Sequence, residues 1–467
     1  MEDYGPMKKA AGTYFPLGLG YISTYVKQYG YDVHMFDPNV QDISLNDMIE
    51  CVNREKPLLV GISFMTPQFY AAKNIVDAIK RSCPSVKILL GGAHPSVMPK
   101  ETMNEIENAD FLSIGEGERT TVELLDYLSE NKGGLSEIRG LAWRDNKGCV
   151  VNTQREPIED LDGLGFPDRG LIDQSLYRQQ SFLSYSKNAK TIYTSRGCPG
   201  RCVFCASGFK LKRKVRMRSI KNIFDEIDML VKDYKMDYLL IKDDTFTLSR
   251  SRIRMFCEEL IKRKYNIKWH CMCRVDTLDE ETLSLMKKAG LNDVLLGIES
   301  GNNEILKNIK KNISVEDVKK TVCVCDRLGI KTYGSFILGL PGDGYGTIED
   351  TIRFACALPL TIAAFFILTP YPGTEVFVYH CRYEKGKTLD YRKFISSTGL
   401  HFVKEYDGMA GVRPEELPAM VSGALRRFYL RPGQMIRIIK ALTPSMAMGI
   451  CRAFFALIKR ELYISRK

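Results

Sequence analysis

At 467 residues, with 45% apolar residues and a net charge of +11, the chain has the composition of a globular protein too long for one ordinary domain and suited to two or three. Its 14 cysteines follow no regular paired spacing and Met1-Glu-Asp-Tyr-Gly-Pro6 lacks a signal-peptide pattern, which argues against a disulfide framework and predicts a reducing compartment, the cytoplasm. No run of eighteen apolar residues occurs, so no transmembrane helix is predicted.

Over residues 1–130, strand-like and helix-like patterns alternate. Gly20 to Gly30 reads as a helix ended by glycine, Asp32 to Asp37 as a strand, Ser44 to Arg54 as a helix and Leu58 to Phe64 as a buried strand. Gln68 to Arg81 is helical, Val86 to Gly92 and Phe111 to Ile114 are strands, and Thr120 to Glu130 is a helix. The pattern predicts a doubly wound α/β domain, whose ligands sit beyond the carboxyl ends of the strands. The residues there include Ser63, Thr66, Gly91, Gly92, His94, Gly115 and Glu116. Glycines let a backbone approach a ligand, and small hydroxyls offer it hydrogen bonds. Ordinary turn chemistry is the alternative for these loops, with His94 merely capping a turn.

Residues 131–187 read as a linker with one hairpin, Gly140 to Val151, turned by Asp145-Asn-Lys-Gly148 and expected to carry no chemistry. From 188 to 380 the alternation resumes in longer units, as in a partial (β/α) barrel. Strands are predicted from Lys190, Tyr238, Lys268, Asp293, Lys331 and Ala364, and at their ends stand Asp243-Asp244, Arg274, Glu299, Gly339 and Tyr371. Barrel active sites form at such a rim.

After the first of these strands, Ser195 to Ser207 holds Cys198, Cys202 and Cys205 in a C-x3-C-x2-C spacing. Three thiolates on one tight loop can each take one iron of a [4Fe–4S] cubane, which leaves the fourth iron open to hold a small molecule and pass it an electron. A structural zinc site requires a fourth ligand; three buried thiols, or zinc completed from elsewhere, are the alternatives. Cys271 and Cys273 lie on one strand face and read mainly as buried thiols, with a role as active-site donors kept open because their strand runs to the rim. His270 reads as packed, and Tyr371 as lining the substrate side.

Residues 381–467 form a basic helical region, with eleven Lys and Arg against three Glu from 411 onward. Helices are predicted at Pro414–Tyr429, Pro432–Leu442 and Pro444–Tyr463. They suit a membrane interface, where each cation gains about 1 kcal/mol from anionic headgroups, or a helical cap on the barrel. No aromatic-basic module for nucleic acid is present.

The cysteine loop resembles the signature of the radical S-adenosylmethionine (SAM) enzymes, with Phe204 at the aromatic position near the adenine. Together with Phe15-Pro-Leu-Gly-Leu-Gly-Tyr21 and the loops of the first domain, residues 14–380 resemble members that carry a cobalamin-binding domain ahead of the radical domain. The resemblance implies Cys198, Cys202 and Cys205 as cluster ligands. It places Asp243 and Asp244 at the SAM amino group, Arg274 at its carboxylate, Glu299 at its ribose and Gly334 to Gly339 at its adenine. Ser63, Thr66, Gly91, Gly92, His94, Gly115 and Glu116 would meet cobalamin. Asn39 stands where the D-x-H-x-x-G loop of cobalamin mutases has its cobalt-ligating histidine, which implies a cobalt without one. The family usually opens on an apolar strand ending in Asn-Pro-Pro, whereas this chain opens on polar residues.

The implied reaction is methylation of an unactivated carbon on an apolar or lipid substrate, such as a membrane isoprenoid or a porphyrin. Electrons would come from a flavodoxin or ferredoxin, and the enzyme would be cytoplasmic or peripheral to the membrane. A radical oxidative cyclase resembling the anaerobic magnesium-protoporphyrin monomethyl ester cyclase, and a non-enzymatic cobalamin or cluster sensor, are the alternatives.

Overall fold

A computed structural model describes residues 13–130, 132–177, 186, 188–207, 213–383, 389–394 and 411–441. The two alternating halves of the sequence form two separate sheets. The first contains β1 (Leu59–Ser63), β2 (Lys87–Gly91), β3 (Phe111–Ser113), β4 (Leu141–Asp145) and β5 (Gly148–Val151) in that spatial order. Strands β1 to β3 are parallel, and β4 joins β3 antiparallel with Phe111 opposite Trp143. The predicted hairpin therefore extends the first sheet.

The helices of this half start where the sequence supplies a cap. Ser44 and Asp47 form a reciprocal capping box on Leu45–Glu55, satisfying backbone amides that the first turn leaves free. Helices Leu17–Gln28 and Gly117–Glu130 pack together through Val26, Val122 and Leu125. Two short helices that the periodicity did not reveal, Ala93–Val97 and Pro99–Glu105, follow β2.

Two expectations are corrected here. Residues 32–37 carry no strand among the described residues: Val33 packs on the helices beside Leu59, Met35 enters another apolar cluster, and the Asp37 carboxylate turns the chain by accepting the Asn39 amide at 3.0 Å. Strand β1 is half-exposed because the described sheet gives it a neighbour on one side only.

The second half supplies β6 (Ala189–Ile192), the short antiparallel ribbon β7 (Ser195–Arg196) with β8 (Arg216–Met217), then β9 (Tyr238–Ile241), β10 (Lys268–Cys273), β11 (Leu291–Glu299), β12 (Lys331–Leu338) and β13 (Ile362–Ile367). Six of these form one parallel sheet in the order β13-β12-β11-β10-β9-β6, the partial barrel. Alternation divides its side chains between two faces. Leu239, Ile241, Trp269, Cys271, Cys273, Val294, Leu296, Phe336 and Phe365 join the apolar layer under the helices, of which Ile220–Tyr234, Arg250–Arg263 and Val315–Arg327 start at the serine caps Ser219, Ser249 and Ser314. Tyr238, Leu240, His270, Met272, Asp293 and Tyr333 take the other register and face the barrel interior.

The described C-terminal helices act as a cap. Leu417–Tyr429 lies on β13, whose outer edge would otherwise stay unpaired, and the Tyr429 hydroxyl donates to the Ala363 carbonyl at 2.9 Å. From Pro432–Ala441, buried Gln434 donates to the Thr361 carbonyl at 2.9 Å. Pro444–Tyr463 lies outside the described residues. Among the described residues no helix is long and apolar enough to cross a membrane.

Candidate active site

The cysteine loop begins where β6 ends, and a buried carboxylate fixes its start. Asp243, at the end of the neighbouring β9, is fully buried and accepts the Thr194 amide at 2.6 Å, the Thr194 hydroxyl at 2.5 Å and the Ser195 hydroxyl at 2.7 Å. Gly197 then takes φ +96°, and a Cβ there would run into the Lys214 carbonyl, so the turn into Cys198 requires glycine. Further along, the Val203 amide donates to Ile309 at 3.2 Å, the Val203 carbonyl accepts from Val376 at 3.2 Å, and the Ser207 hydroxyl donates to Asp244 at 2.9 Å.

Gly200 marks the point on which the loop converges. A Cβ built there would lie 3.3 Å from the Cys198 sulfur, 3.9 Å from the Cys202 sulfur and 3.7 Å from Arg274 Nη1. Burial pushes the Cys202 thiol up, while Lys311 and Arg274 favour its thiolate. Among the described residues no three His, Cys, Asp or Glu side chains are placed to hold one metal ion. A mononuclear zinc site therefore has no ligand set among them, whereas a cubane spreads its thiolates over separate irons.

Charged groups surround this loop at the barrel rim. Arg274 chelates Asp276 at 3.0 and 2.9 Å and donates to the Lys311 carbonyl at 2.7 Å. Glu299, at the end of β11, adopts φ +69°, and its Oε1 meets Lys311 Nζ at 2.8 Å with both side chains 8% exposed. A Cβ on Gly297 would come within 2.6 Å of that oxygen. Burial disfavours the Lys311 ammonium, but Glu299 and Cys202 outweigh it and hold its pKa above the ordinary lysine value. Lys311 was not singled out in the sequence. Its signal is Lys310-Lys311-Asn312, in which both flanking residues take positive φ and turn the lysine back under Glu299.

On the first sheet, the loops at the strand ends form an open ledge. A Cβ added at Gly61, Gly91 or Gly115 would meet nothing within 4 Å, and Ser63 is exposed beside them. Ser96 ties the ledge together, donating to the Gly92 carbonyl at 2.6 Å and accepting the Gly115 amide at 3.0 Å. Beneath it, Thr66 meets His94 Nδ1 at 3.1 Å. His94 is fully buried among Phe64, Phe69 and Tyr391, its Nε2 has no partner among the described residues, and burial lowers its pKa to about 4.

The ledge and the cysteine loop face each other. Arg196 of β7, two residues before Cys198, pairs with Glu116 at 3.0 Å and Glu118 at 2.7 Å, and Arg216 of β8 pairs with Glu116 at 2.8 Å. On another side, the Cβ position of Gly373, just past β13, lies 2.8 Å from Val97, just past β2. Carboxyl ends of parallel strands from both sheets thus meet across one seam, and such strand ends are where ligands of these folds sit.

Two family models match the two halves of this chain. The B12 binding domain family matches residues 6–125 and the Radical SAM superfamily matches residues 192–355. An uncharacterized methyltransferase of Pyrococcus horikoshii is 31% identical over 93% of this chain and 92% of its own length. The chain belongs to the cobalamin-binding radical SAM family. The anaerobic magnesium-protoporphyrin IX monomethyl ester cyclase of Rubrivivax gelatinosus is 30% identical over 90% of this chain and 74% of its own length. The radical SAM methyltransferase TsrM of Kitasatospora setae, solved with cobalamin and a [4Fe–4S] cluster, shares the fold at TM-score 0.67 and 20% identity over 92% of this chain and 87% of its own.

As a radical SAM enzyme of this family, the protein uses a [4Fe–4S] cluster, SAM and cobalamin. The groups present fit all three: a side-chain-free space lined by two sulfurs and a guanidinium, charged rim residues, and an open glycine ledge. Several residues expected at these ligands have other partners. Asp243 is committed to Thr194 and Ser195 and so positions the loop. Glu116 is committed to Arg196 and Arg216. The Cβ side of Gly334 is filled by Leu360 and Ile298, that of Gly339 by Leu417, and the Gly339 amide donates to Asp343 at 3.0 Å. Cys271 and Cys273, with sulfurs 3.4 Å apart, lie in the layer under the helices, so β10 presents His270 and Met272 to the interior. Tyr371 packs against the first domain's core, and Phe204 is half-buried against that of the barrel. Asn39 is bound by Asp37 at 2.8 Å.

Proposed function

We propose that this radical SAM enzyme methylates an unactivated carbon on an apolar substrate held between the barrel mouth and the glycine ledge. The observation that carries this reading is the seam itself, in which Arg196 beside the cluster loop is clamped to Glu116 beside the cobalamin ledge. The bound cluster supplies the electron that splits SAM to a 5′-deoxyadenosyl radical, and cobalamin supplies the methyl group.

The chain's own groups bind and orient. Arg274 stands beside the cysteine sulfurs with a guanidinium suited to the SAM carboxylate, exposed Asp244 is the rim carboxylate for the amino group, and Glu299 with Lys311 sets the ribose side. Thr66 and His94 support the ledge from below, where Ser63, Gly91, Gly92 and Gly115 meet the corrin ring or its tail. Phe204 borders the adenine and Tyr371 the substrate side. Electrons come from a flavodoxin or ferredoxin. Leu430, Met435, Ile436 and Ile439, exposed on the C-terminal helices near Arg431 and Lys440, support a position at a membrane surface.

Anaerobic reconstitution with a lipid extract and reductant, read by mass spectrometry, tests this function. A product heavier by one CH2 unit, formed together with 5′-deoxyadenosine, is the expected result. The cyclase relative supports a second reading, oxidative cyclisation of a porphyrin, which yields a product without the added CH2. Reconstituted protein that releases no 5′-deoxyadenosine would sink both readings.

A further inference from the structure

The barrel interior carries a charge that none of the roles given above uses. Lys242 extends β9, its amide donating to the Ile192 carbonyl at 3.0 Å, and it continues the inward register of Tyr238 and Leu240. It immediately precedes Asp243, so it stands at the strand end from which the cysteine loop is held.

The interior carboxylate whose charge acts on Lys242 already accepts other hydrogen bonds. Asp293 accepts His270 Nδ1 at 2.6 Å and Asn292 at 2.8 Å, and also the Tyr238 hydroxyl. Among the described residues Lys242 forms no ion pair within 4.0 Å; its ammonium lies 4.0 Å from the centre of the Tyr14 ring. Tyr14 precedes the first domain's opening helix, and it is electrostatically coupled to Asp293 and Tyr333, so the first domain reaches over the barrel interior at this point. Burial lowers the Lys242 pKa to about 8, with Asp293 opposing, so the group is still charged at neutral pH.

A half-buried ammonium with an aromatic ring against it, no carboxylate within 4.0 Å among the described residues, and an Asp293 already bonded to His270, Asn292 and Tyr238 is under-compensated, and an anionic guest compensates it. We propose that Lys242 anchors a carboxylate or phosphate group on the substrate inside the barrel, so that the substrate is an apolar body with one acidic end. This rests on the reading of the barrel as the substrate chamber of a radical reaction. Tyr14 forms the aromatic wall above that anchor, and the apolar part of the substrate runs toward the ledge.

The test is competitive protection of Lys242 in the anaerobic holoenzyme. The protein is acetylated with a water-soluble N-hydroxysuccinimide ester, and the rate at Lys242 is mapped by peptide mass spectrometry. Lys287 serves as the reference lysine, since it is also desolvated but bonds the Gly329 carbonyl on the outside. Hexanoate or hexyl phosphate should slow Lys242 acetylation by roughly threefold or more and leave Lys287 unchanged, while hexanol and hexanamide should leave both rates unchanged. Protection by hexanoate alone assigns a carboxylate end, and protection by hexyl phosphate alone assigns a phosphate. Equal rates with all four compounds, or equal protection at Lys287, overturns the proposal. Full protection by SAM alone overturns it too, because the cation then belongs to the SAM carboxylate. Release of 5′-deoxyadenosine by the same preparation reports separately on the radical reading.

Discussion

Arg196 holds Glu116 through one guanidinium nitrogen and Glu118 through another, with the three side chains only 15%, 8% and 4% exposed. This arginine lies two positions before Cys198, and the two glutamates stand one and three positions after Gly115, the glycine that ends the ledge. One buried ion cluster therefore sets where the two cofactor loops lie relative to each other.

Replacing Glu116 with glutamine should open this seam. Arg216 would lose its carboxylate partner while its Nε and Nη2 already lack one among the described residues, and breaking a buried pair of this kind costs about 3–5 kcal/mol. Burial pushes the Glu116 carboxyl up, but Arg196 and Arg216, with the Ile158 amide, hold it below the usual glutamate value. A depressed folded-state pKa gives stability that is present above the unfolded value and is lost as pH falls through the folded one. Wild-type urea midpoints should thus fall on acidification, and the E116Q midpoint should start lower and fall less. Equal midpoints at pH 7 would show that the pairs contribute nothing.

Glu299 and Lys311 should behave as one unit. Lys311→Met leaves a buried carboxylate alone, and Glu299→Gln leaves a buried ammonium, so each should cost about 3–5 kcal/mol. The double variant should cost less than the two together by about 1–3 kcal/mol. A double-mutant cycle on thermal unfolding measures the coupling, and strict additivity would mean that the pair is not energetically formed. Binding of SAM should weaken in all three variants, because the same pair faces the cysteine loop.

Most strands and helices and the cysteine loop were legible because each leaves a local mark: alternation in β10, a capping box at Ser44, a C-x3-C-x2-C spacing. The commitments of side chains across the fold leave none. Nothing near Gly115-Glu-Gly-Glu118 announces that Arg196 and Arg216, 78 or more positions away, will occupy both glutamates. Asp243 and Asp244 look equivalent in sequence, yet alternation at a strand end buries one and exposes the other. Lys311 escaped notice because a lysine in a basic run reads as solvated, and only the left-handed residues at 310 and 312 turn it inward. The strand expected at 32–37 failed because alternating apolar residues can pack on helices as well as on a sheet.

Asp243→Asn tests whether this aspartate positions the cluster loop. An amide has one acceptor oxygen for three donors, so at least one buried donor at Thr194 or Ser195 loses its partner, at about 1–3 kcal/mol. The variant should fold but take up less iron and sulfide per chain on reconstitution, whereas Asp244→Asn should load normally and bind SAM more weakly. If D243N loads its cluster as well as wild type, the aspartate does not set the loop.

His94 should make the first domain acid-sensitive. Its pKa is lowered to about 4 from an ordinary 6.5 because burial among Phe64, Phe69 and Tyr391 disfavours the charged ring. Between those two values the unfolded chain binds the proton and the folded one does not. The stability His94 confers is complete above pH 6.5 and is lost as pH falls toward 4, about 3 kcal/mol in all. His94→Phe keeps the aromatic packing and removes the titration, so its unfolding free energy should fall less than that of wild type over this window. Parallel pH profiles for the two proteins would show that the ring takes up its proton in the folded state.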